Sequence, residues 1–194
     1  NGGANVLLQN QGDFRFTDVT DASGLGTENY RFSFAASWED YDNDGDQDLY
    51  VANDFGRNNL FRNDGKKFVD VAADSGVEDS ASGMAVTWGD YDRNGLMDVY
   101  VSNMFSAAGN RITFQEQFKP DASPEVRSRL QRFARGSTLM KALNNGSFQD
   151  VSESASVAMA RWAWGTSFVD LNNDGWQDIV VANGNITGED PGDL

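Results

Sequence analysis

The chain has 194 residues, a formal net charge of −15, no cysteine and no histidine. That length suits one domain with a real core, while the missing residue types exclude disulfides and thiolate or imidazole metal sites. The acidity without a chain-wide basic face speaks against nucleic acid as a partner, and no run of about 18 apolar residues is present to span a membrane as a helix.

The sequence opens Asn1-Gly2-Gly3, without Met or a visible signal peptide, and so reads as a processed or incomplete chain. The first element is LLQNQGDFRFTDV, ending at Val19. Asn-x-Gly between two alternating apolar segments predicts a hairpin, with the glycine supplying positive φ. The pattern returns as LFRNDGKKFVDV ending at Val71 and KALNNGSFQDV ending at Val151. Shared residues are Asn10, Asn63 and Asn144; Gly12, Gly65 and Gly146; Phe16, Phe68 and Phe148; and Asp-Val at 18–19, 70–71 and 150–151.

A second motif alternates with the hairpins. It reads DYDNDGDQD at 40–48, DYDRNGLMD at 90–98 and DLNNDGWQD at 170–178. Positions 1, 3 and 5 are Asp or Asn, position 6 is Gly and position 9 is Asp. Oxygen ligands at every second residue, then a glycine that lets the chain turn sharply, suit a hard cation such as calcium. An EF-hand needs Glu at position 12 and flanking helices; position 12 is Val51, Val101 and Val181. The preceding segments SFAASW, MAVTW and WGTSF, and the following segments DLYVAN, DVYVSN and DIVVAN, read as strands. Trp38, Trp88 and Phe168 stand two residues before each first Asp. The unit is strand, cation-type loop, buried strand. The alternative for each loop is closure by Asp–backbone hydrogen bonds alone.

From hairpin Asp to the next loop is 22, 20 and 20 residues, and the loops begin at 40, 90 and 170. The repeat is therefore four short strands in about 50 residues, the radial pattern of a β-propeller. The expected fold is all-β: a propeller segment of about three blade equivalents with one short helical insertion. Residues 1–25 make a half blade, 30–78 a blade, 82–155 a blade carrying an insertion at 104–137, and 160–194 a half blade. Open blade edges are prone to pairing, so the ring is completed outside this sequence, by further blades or by other chains.

The insertion holds six of the fifteen basic residues: Arg111, Lys119, Arg127, Arg129, Arg132 and Arg135. SPEVRSRLQRFA predicts a helix with Ser123 as N-cap, Pro124 at its first position and Val126, Leu130 and Phe133 on one face. It either pairs with the acidic propeller surface or docks an acidic partner. The cluster Arg161-Trp162-Ala163-Trp164, with Trp176, is a candidate sugar-stacking patch, though aromatics of this kind more often pack between blades. Asn145-Gly146-Ser147 and Asn185-Ile186-Thr187 fit the N-glycosylation pattern, but Asn145-Gly146 is better explained as turn chemistry. No phosphate loop or nucleophile elbow is present, and a Ser/His/Asp set is impossible without histidine, so the chain is not expected to be an enzyme.

These loops and hairpins resemble the FG-GAP/VCBS repeats of integrin-like β-propellers over nearly the whole chain outside the insertion. RFSFAASWEDYDNDGDQDLYVANDFGRNNLFRNDG and RWAWGTSFVDLNNDGWQDIVVANGNITGED are further similar to a bacterial secreted group related to cartilage acidic protein. The resemblance implies longer, generally seven-bladed proteins. It also implies up to three Ca²⁺ ions, each held by side chains at positions 1, 3, 5 and 9 and the carbonyl at 7. Site one is then Asp40, Asp42, Asp44, the Asp46 carbonyl and Asp48. Site two is Asp90, Asp92, Asn94, the Leu96 carbonyl and Asp98. Site three is Asp170, Asn172, Asp174, the Trp176 carbonyl and Asp178. Site one, with four carboxylates, is expected to bind tightest. The expected setting is extracellular, secreted or at the cell surface, and the expected role is non-catalytic binding, adhesion or scaffolding with a protein or surface partner. The alternative is a carbohydrate-binding module, or part of a polysaccharide-active enzyme whose catalytic residues lie elsewhere.

Overall fold

The computed structural model describes residues 2–27 and 29–184. Strands β1 (Leu8–Gly12) and β2 (Arg15–Asp18) form a hairpin, followed by one helical turn, α1 (Thr20–Ser23). Strands β3 (Phe32–Glu39), β4 (Asp48–Arg57), β5 (Asn59–Asn63) and β6 (Phe68–Asp70) make an antiparallel four-stranded meander. Strands β7 (Ser80–Gly89), β8 (Asp98–Asn103), β9 (Thr138–Ala142) and β10 (Phe148–Asp150) make a second. Helices α2 (Ala107–Thr113) and α3 (Pro124–Arg135) lie between β8 and β9. Strands β11 (Ala163–Val169) and β12 (Asp178–Asn183) form a final hairpin. The result is a mostly β, curled antiparallel sheet, consistent with part of a β-propeller.

One join departs from the sequence reading. The strand expected to end at Asn53 runs on to Arg57. After an irregularity between Asp54 and Gly56 it pairs Asp54 with Ser82, Gly56 with Ala81 and Arg57 with Ser80 of β7. The two meanders thus share one sheet. An isolated bridge between Met104 and Trp162 repeats the link from the second meander to the last hairpin.

The core lies between successive units and is built by repeated aromatic contacts. Trp88 of β7 meets Tyr50 of β4 edge-on, with ring centroids 5.9 Å apart and planes at 89°. Phe168 of β11 meets Tyr100 of β8 in the same way, at 6.4 Å and 69°. Edge-to-face contact suits the ring quadrupole. Each tyrosine is anchored by its hydroxyl, which donates to the Val77 carbonyl from Tyr50 and to the Val157 carbonyl from Tyr100, both at 3.0 Å. The unit before Trp38 contributes only the β1–β2 hairpin among the described residues, without a counterpart of Tyr50 or Tyr100; Trp38 touches Phe68 at 5.8 Å and stays 43% exposed.

The hairpin glycines Gly12, Gly65 and Gly146 have φ of 83°, 67° and 77°, with nothing near the place a Cβ would occupy. Positive φ, and not space, selects glycine there. The repeated asparagines, by contrast, are not one structural position. Phe68 pairs with Asn63, Phe148 with Ala142 and Phe16 with Asn10. Asn63 therefore corresponds to Ala142 and Asn10, because the hairpin loops differ in length. Past each hairpin the repeated Asp closes a turn: Asp18, Asp70 and Asp150 accept from Thr20, Ala72 and Ser152 N–H at 2.9, 3.1 and 3.0 Å.

The insertion is bound to the sheet by its own basic residues. Arg132 pairs with fully buried Asp79, which also accepts from Asn103 Nδ2 at 2.9 Å and Thr138 Oγ1 at 2.7 Å. Arg135 pairs with Asp150, and Phe133 stacks on Phe55 at 5.2 Å. Helix α3 begins where its sequence places it, with Ser123 Oγ accepting from Val126 N–H and Pro124 in the first turn. Val126 is exposed, and Ala134 is the buried residue of this helix.

Candidate metal centre

Each acidic loop joins the first two strands of its unit, and its backbone is set by the same contacts three times. The first Asp accepts the N–H groups of positions 5 and 6. Asp40 accepts from Asp44 and Gly45 at 3.0 Å each, Asp90 from Asn94 and Gly95 at 2.9 Å each, and Asp170 from Asp174 and Gly175 at 3.1 and 2.9 Å. Position 5 accepts from the N–H of position 7: Asp44 from Asp46 at 2.9 Å, Asn94 from Leu96 at 2.8 Å, and Asp174 from Trp176 at 2.8 Å. Asn43, Arg93 and Asn173 sit at φ of 60°, 62° and 60°, left-handed backbone next to the loop glycines. Asn accommodates that conformation better than most residues, whereas Arg93 is held there by the loop.

The Asp at position 9 ties the loop to the next hairpin. Asp48 Oδ2 accepts from Tyr41 N–H at 3.3 Å and Asp48 Oδ1 from Asn63 N–H at 2.8 Å. Asp98 Oδ2 accepts from Tyr91 N–H at 3.3 Å and Asp98 Oδ1 from Ala142 N–H at 2.7 Å. Both side chains are fully buried. Burial pushes their carboxyls up to about 6, despite those N–H donors.

In the first two loops the carboxylates converge. Asp40, Asp42 and Asp48 place one oxygen each within 4.8 Å of one another, and so do Asp90, Asp92 and Asp98. Burial and the Asp44 charge raise the Asp42 carboxyl, the response expected of crowded anions, and the Arg62 charge offsets this only in part. Asp92 Oδ1 is buried and has no hydrogen-bond partner. An orphaned carboxylate oxygen inside a ring of hard oxygen donors fits a divalent cation such as calcium.

The third loop behaves differently. Asn172 replaces an acid at position 3, and its amide donates to Asp174 Oδ2 at 2.8 Å. That contact and the Trp176 N–H hold the Asp174 carboxyl below its usual range. Asp178 accepts from Leu171 N–H at 3.1 Å, but no third strand pairs with β12 among the described residues. Two carboxylate triads form among those residues, and this loop supplies neither.

The FG-GAP-like repeat matches residues 40–101 and 132–181, more than half of the chain. The chain belongs to the FG-GAP-like repeat family. No curated protein matches it. The repeat match spans all of the first two acidic loops and the third as well, and it skips most of the insertion, where α2 and the start of α3 lie. FG-GAP repeats are generally non-enzymatic and typical of extracellular proteins, and no described helix is long and apolar enough to cross a membrane.

The tryptophan patch does not assemble in this FG-GAP chain. Trp162 and Trp164 lie where β11 starts, and Trp176 lies in the loop beyond its other end. All three are exposed, at 42%, 45% and 50%, so the expectation that they pack between blades is not met. No further unit covers β11–β12 among the described residues. Trp176 instead carries Arg93 of the neighbouring loop, 5.1 Å above its ring. Asn145 Oδ1 accepts from Ser147 N–H at 3.1 Å, as expected for turn chemistry. Asn185-Ile186-Thr187 lies outside the described residues.

Sequence reasoning missed two participants. The side chain of Lys141 on β9 reaches loop two and pairs with Asp92. Arg132, expected to pair with the acidic propeller surface at large, meets one fully buried acid, Asp79. The acid immediately before β7 (Asp79 in VEDSASG) was the available signal for the second.

Proposed function

We propose that this chain is a calcium-stabilised, non-catalytic β-propeller module of the extracellular or cell-surface space, serving binding, adhesion or scaffolding. The observation that supports it best is the pair of carboxylate triads, Asp40–Asp42–Asp48 and Asp90–Asp92–Asp98, at equivalent places in two successive units. Asp44, Asn94 and the Asp46 and Leu96 carbonyls would complete these two sets. Asp170, Asn172, Asp174, the Trp176 carbonyl and Asp178 would form a third. A bound cation would supply positive charge at the centre of each carboxylate set and so hold each turn. Stabilisation of roughly 4 kcal/mol per site follows if free calcium exceeds the dissociation constant a thousandfold, and less at the ratios typical of weak sites. Calcium titration calorimetry and melting with and without chelator test this reading. A melting curve indifferent to both additions would sink it.

The apolar residues left open on β3 (Phe32, Phe34 and Trp38) and on β12 (Val180) are the surfaces for completion. Their occupants would be further propeller blades, on this chain or on others, with a protein or surface partner binding the completed ring. The narrower likeness to secreted proteins related to cartilage acidic protein belongs to this proposal too. A second reading, glycan binding, rests on the exposure of Trp162 and Trp164. Loss of glycan-array signal on Trp162→Ala and Trp164→Ala would favour it over the first.

A further inference from the structure

The first two acidic loops are built alike but face different cations of the chain itself. Strand β5 pairs Phe61 with Leu49 and strand β9 pairs Met140 with Val99. The next residues, Arg62 and Lys141, are therefore equivalent and stand beside loops one and two. Their partners differ. Arg62 forks onto Asp64, with Nε donating to Oδ1 at 2.7 Å and Nη2 to Oδ2 at 3.1 Å, and only its charge reaches Asp42 of loop one. A fork of this kind fits a carboxylate bidentately. Lys141 Nζ instead pairs with Asp92 Oδ2, one of the three converging carboxylates of loop two.

The sequence accounts for the divergence. Two residues past Arg62, just beyond the end of β5, stands Asp64. Past Lys141 come Ala142, Leu143, Asn144 and Asn145, none of them acidic. The ammonium therefore finds its counter-charge in the loop. Lysine is a compact point charge on a flexible stem and carries no fixed fork, so it can occupy a site shaped for a metal ion. The contact is partly sheltered, with side-chain exposures of 32% for Lys141 and 22% for Asp92. Solvent screens it less than an open surface pair.

We propose that Lys141 is a built-in counter-cation of loop two, which competes with an incoming divalent ion for the negative charge of Asp92. Loop two then binds calcium more weakly than loop one, for a reason separate from the Asp44-to-Asn94 difference in ligand charge. In the metal-free chain Lys141 does part of the ion's work, neutralising Asp92 and holding the loop to β9. This rests on the reading of the loops as cation sites.

Calcium titration calorimetry of the wild-type chain, Lys141→Gln, Lys141→Arg and Arg62→Gln tests it, with circular dichroism to show that each variant is folded. Removing the charge is expected to tighten one binding event about tenfold or more, while the other stays within about twofold. Lys141→Arg keeps the charge and is expected to stay near the wild-type affinity, as is Arg62→Gln. In chelator, Lys141→Gln is expected to melt below the wild type, and in excess calcium to gain more than the wild type does. Unchanged or weakened affinities in folded Lys141→Gln would overturn the counter-cation role while leaving the cation sites standing. Failure of every variant and the wild type to bind calcium would remove the cation reading, and this inference with it.

Discussion

Strands β8 and β12 begin from nearly the same sequence, DVYVSN and DIVVAN, yet they end in opposite environments. Every residue of β8 is buried; no residue of β12 is. The difference lies in what surrounds them. Strand β8 has β7 on one side, β9 on the other and the last hairpin against its face. Strand β12 has only β11 among the described residues. The apolar run predicts a buried strand, and the run is a strand in both places. Burial, however, belongs to the complete unit. The same contrast separates loop two from loop three: the Asp at position 9 becomes a buried cross-strand tie only where a third strand brings an N–H to it.

The largest expected effect sharpens this comparison at the aromatic contacts. Trp88 sits between units against Tyr41, Tyr50 and Phe148. Trp88→Ala is expected to cost roughly 3–5 kcal/mol. Trp38→Ala, at the equivalent but open position, should cost about 1 kcal/mol. Urea denaturation measures both, and equal costs would break the claim that the neighbouring unit supplies the stabilisation.

Next come the position-9 carboxylates. Asp98→Ala leaves the Tyr91 and Ala142 N–H groups without their acceptor, at a cost of roughly 2–4 kcal/mol. Asp178→Ala removes a half-buried side chain whose loop faces solvent, and about 1 kcal/mol or less is expected. Comparable losses at the two sites would show that the third strand is irrelevant to the tie.

A smaller effect is a pH dependence peculiar to the metal-free state. The Asp48 and Asp98 carboxyls stand at about 6 when folded, above the value near 3.9 expected unfolded. A carboxyl raised by folding favours the protonated folded state. Stability therefore falls as pH climbs from about 4 to about 6, by on the order of 3 kcal/mol per group. Asp18, Asp64, Asp150 and Asp174 are lowered by hydrogen bonds. Their contribution is lost only below about pH 4, outside that window. In chelator the melting temperature is expected to drop between pH 4.5 and 6.5, and excess calcium should abolish the drop. A melting temperature that rises steadily through this range in chelator would contradict the burial of these two acids.

What the sequence made legible was local. Alternation and β-branched runs located the strands on both sides of each loop, and Ser123-Pro124 marked the start of α3 to the residue. Helix α2 carried weaker signals: Ser106 caps it through Gly109 N–H, but glycine and asparagine inside a helix argue against one. The continuation of β4 to Arg57 was hidden because its pairing partner, Ser80 to Ser82, lies in the next repeat, and its irregularity at Phe55 breaks the alternation. At the candidate site, spacing identified Asp40, Asp42 and Asp48, and Asp90, Asp92 and Asp98, as one kind of loop. It carried no information on Lys141, which reaches loop two only through the register of β9 on β8.

The smallest expected effect isolates context from residue identity. Tyr50 and Tyr100 occupy the third residue of their strands, and the third repeat has Val180 there. Val180→Tyr restores the repeat's own aromatic on a strand that no further unit covers among the described residues; Val180 is 42% exposed. Both existing tyrosines gain from a neighbour's ring and from a carbonyl acceptor, Val77 or Val157, in the turn that follows the hairpin of their own unit. The third unit offers neither among the described residues. The substitution is therefore expected to change stability by less than about 0.5 kcal/mol. A gain of 1 kcal/mol or more would mean that the tyrosine stabilises its own strand pair, and that the contrast between β8 and β12 owes more to one side chain than to the missing neighbours.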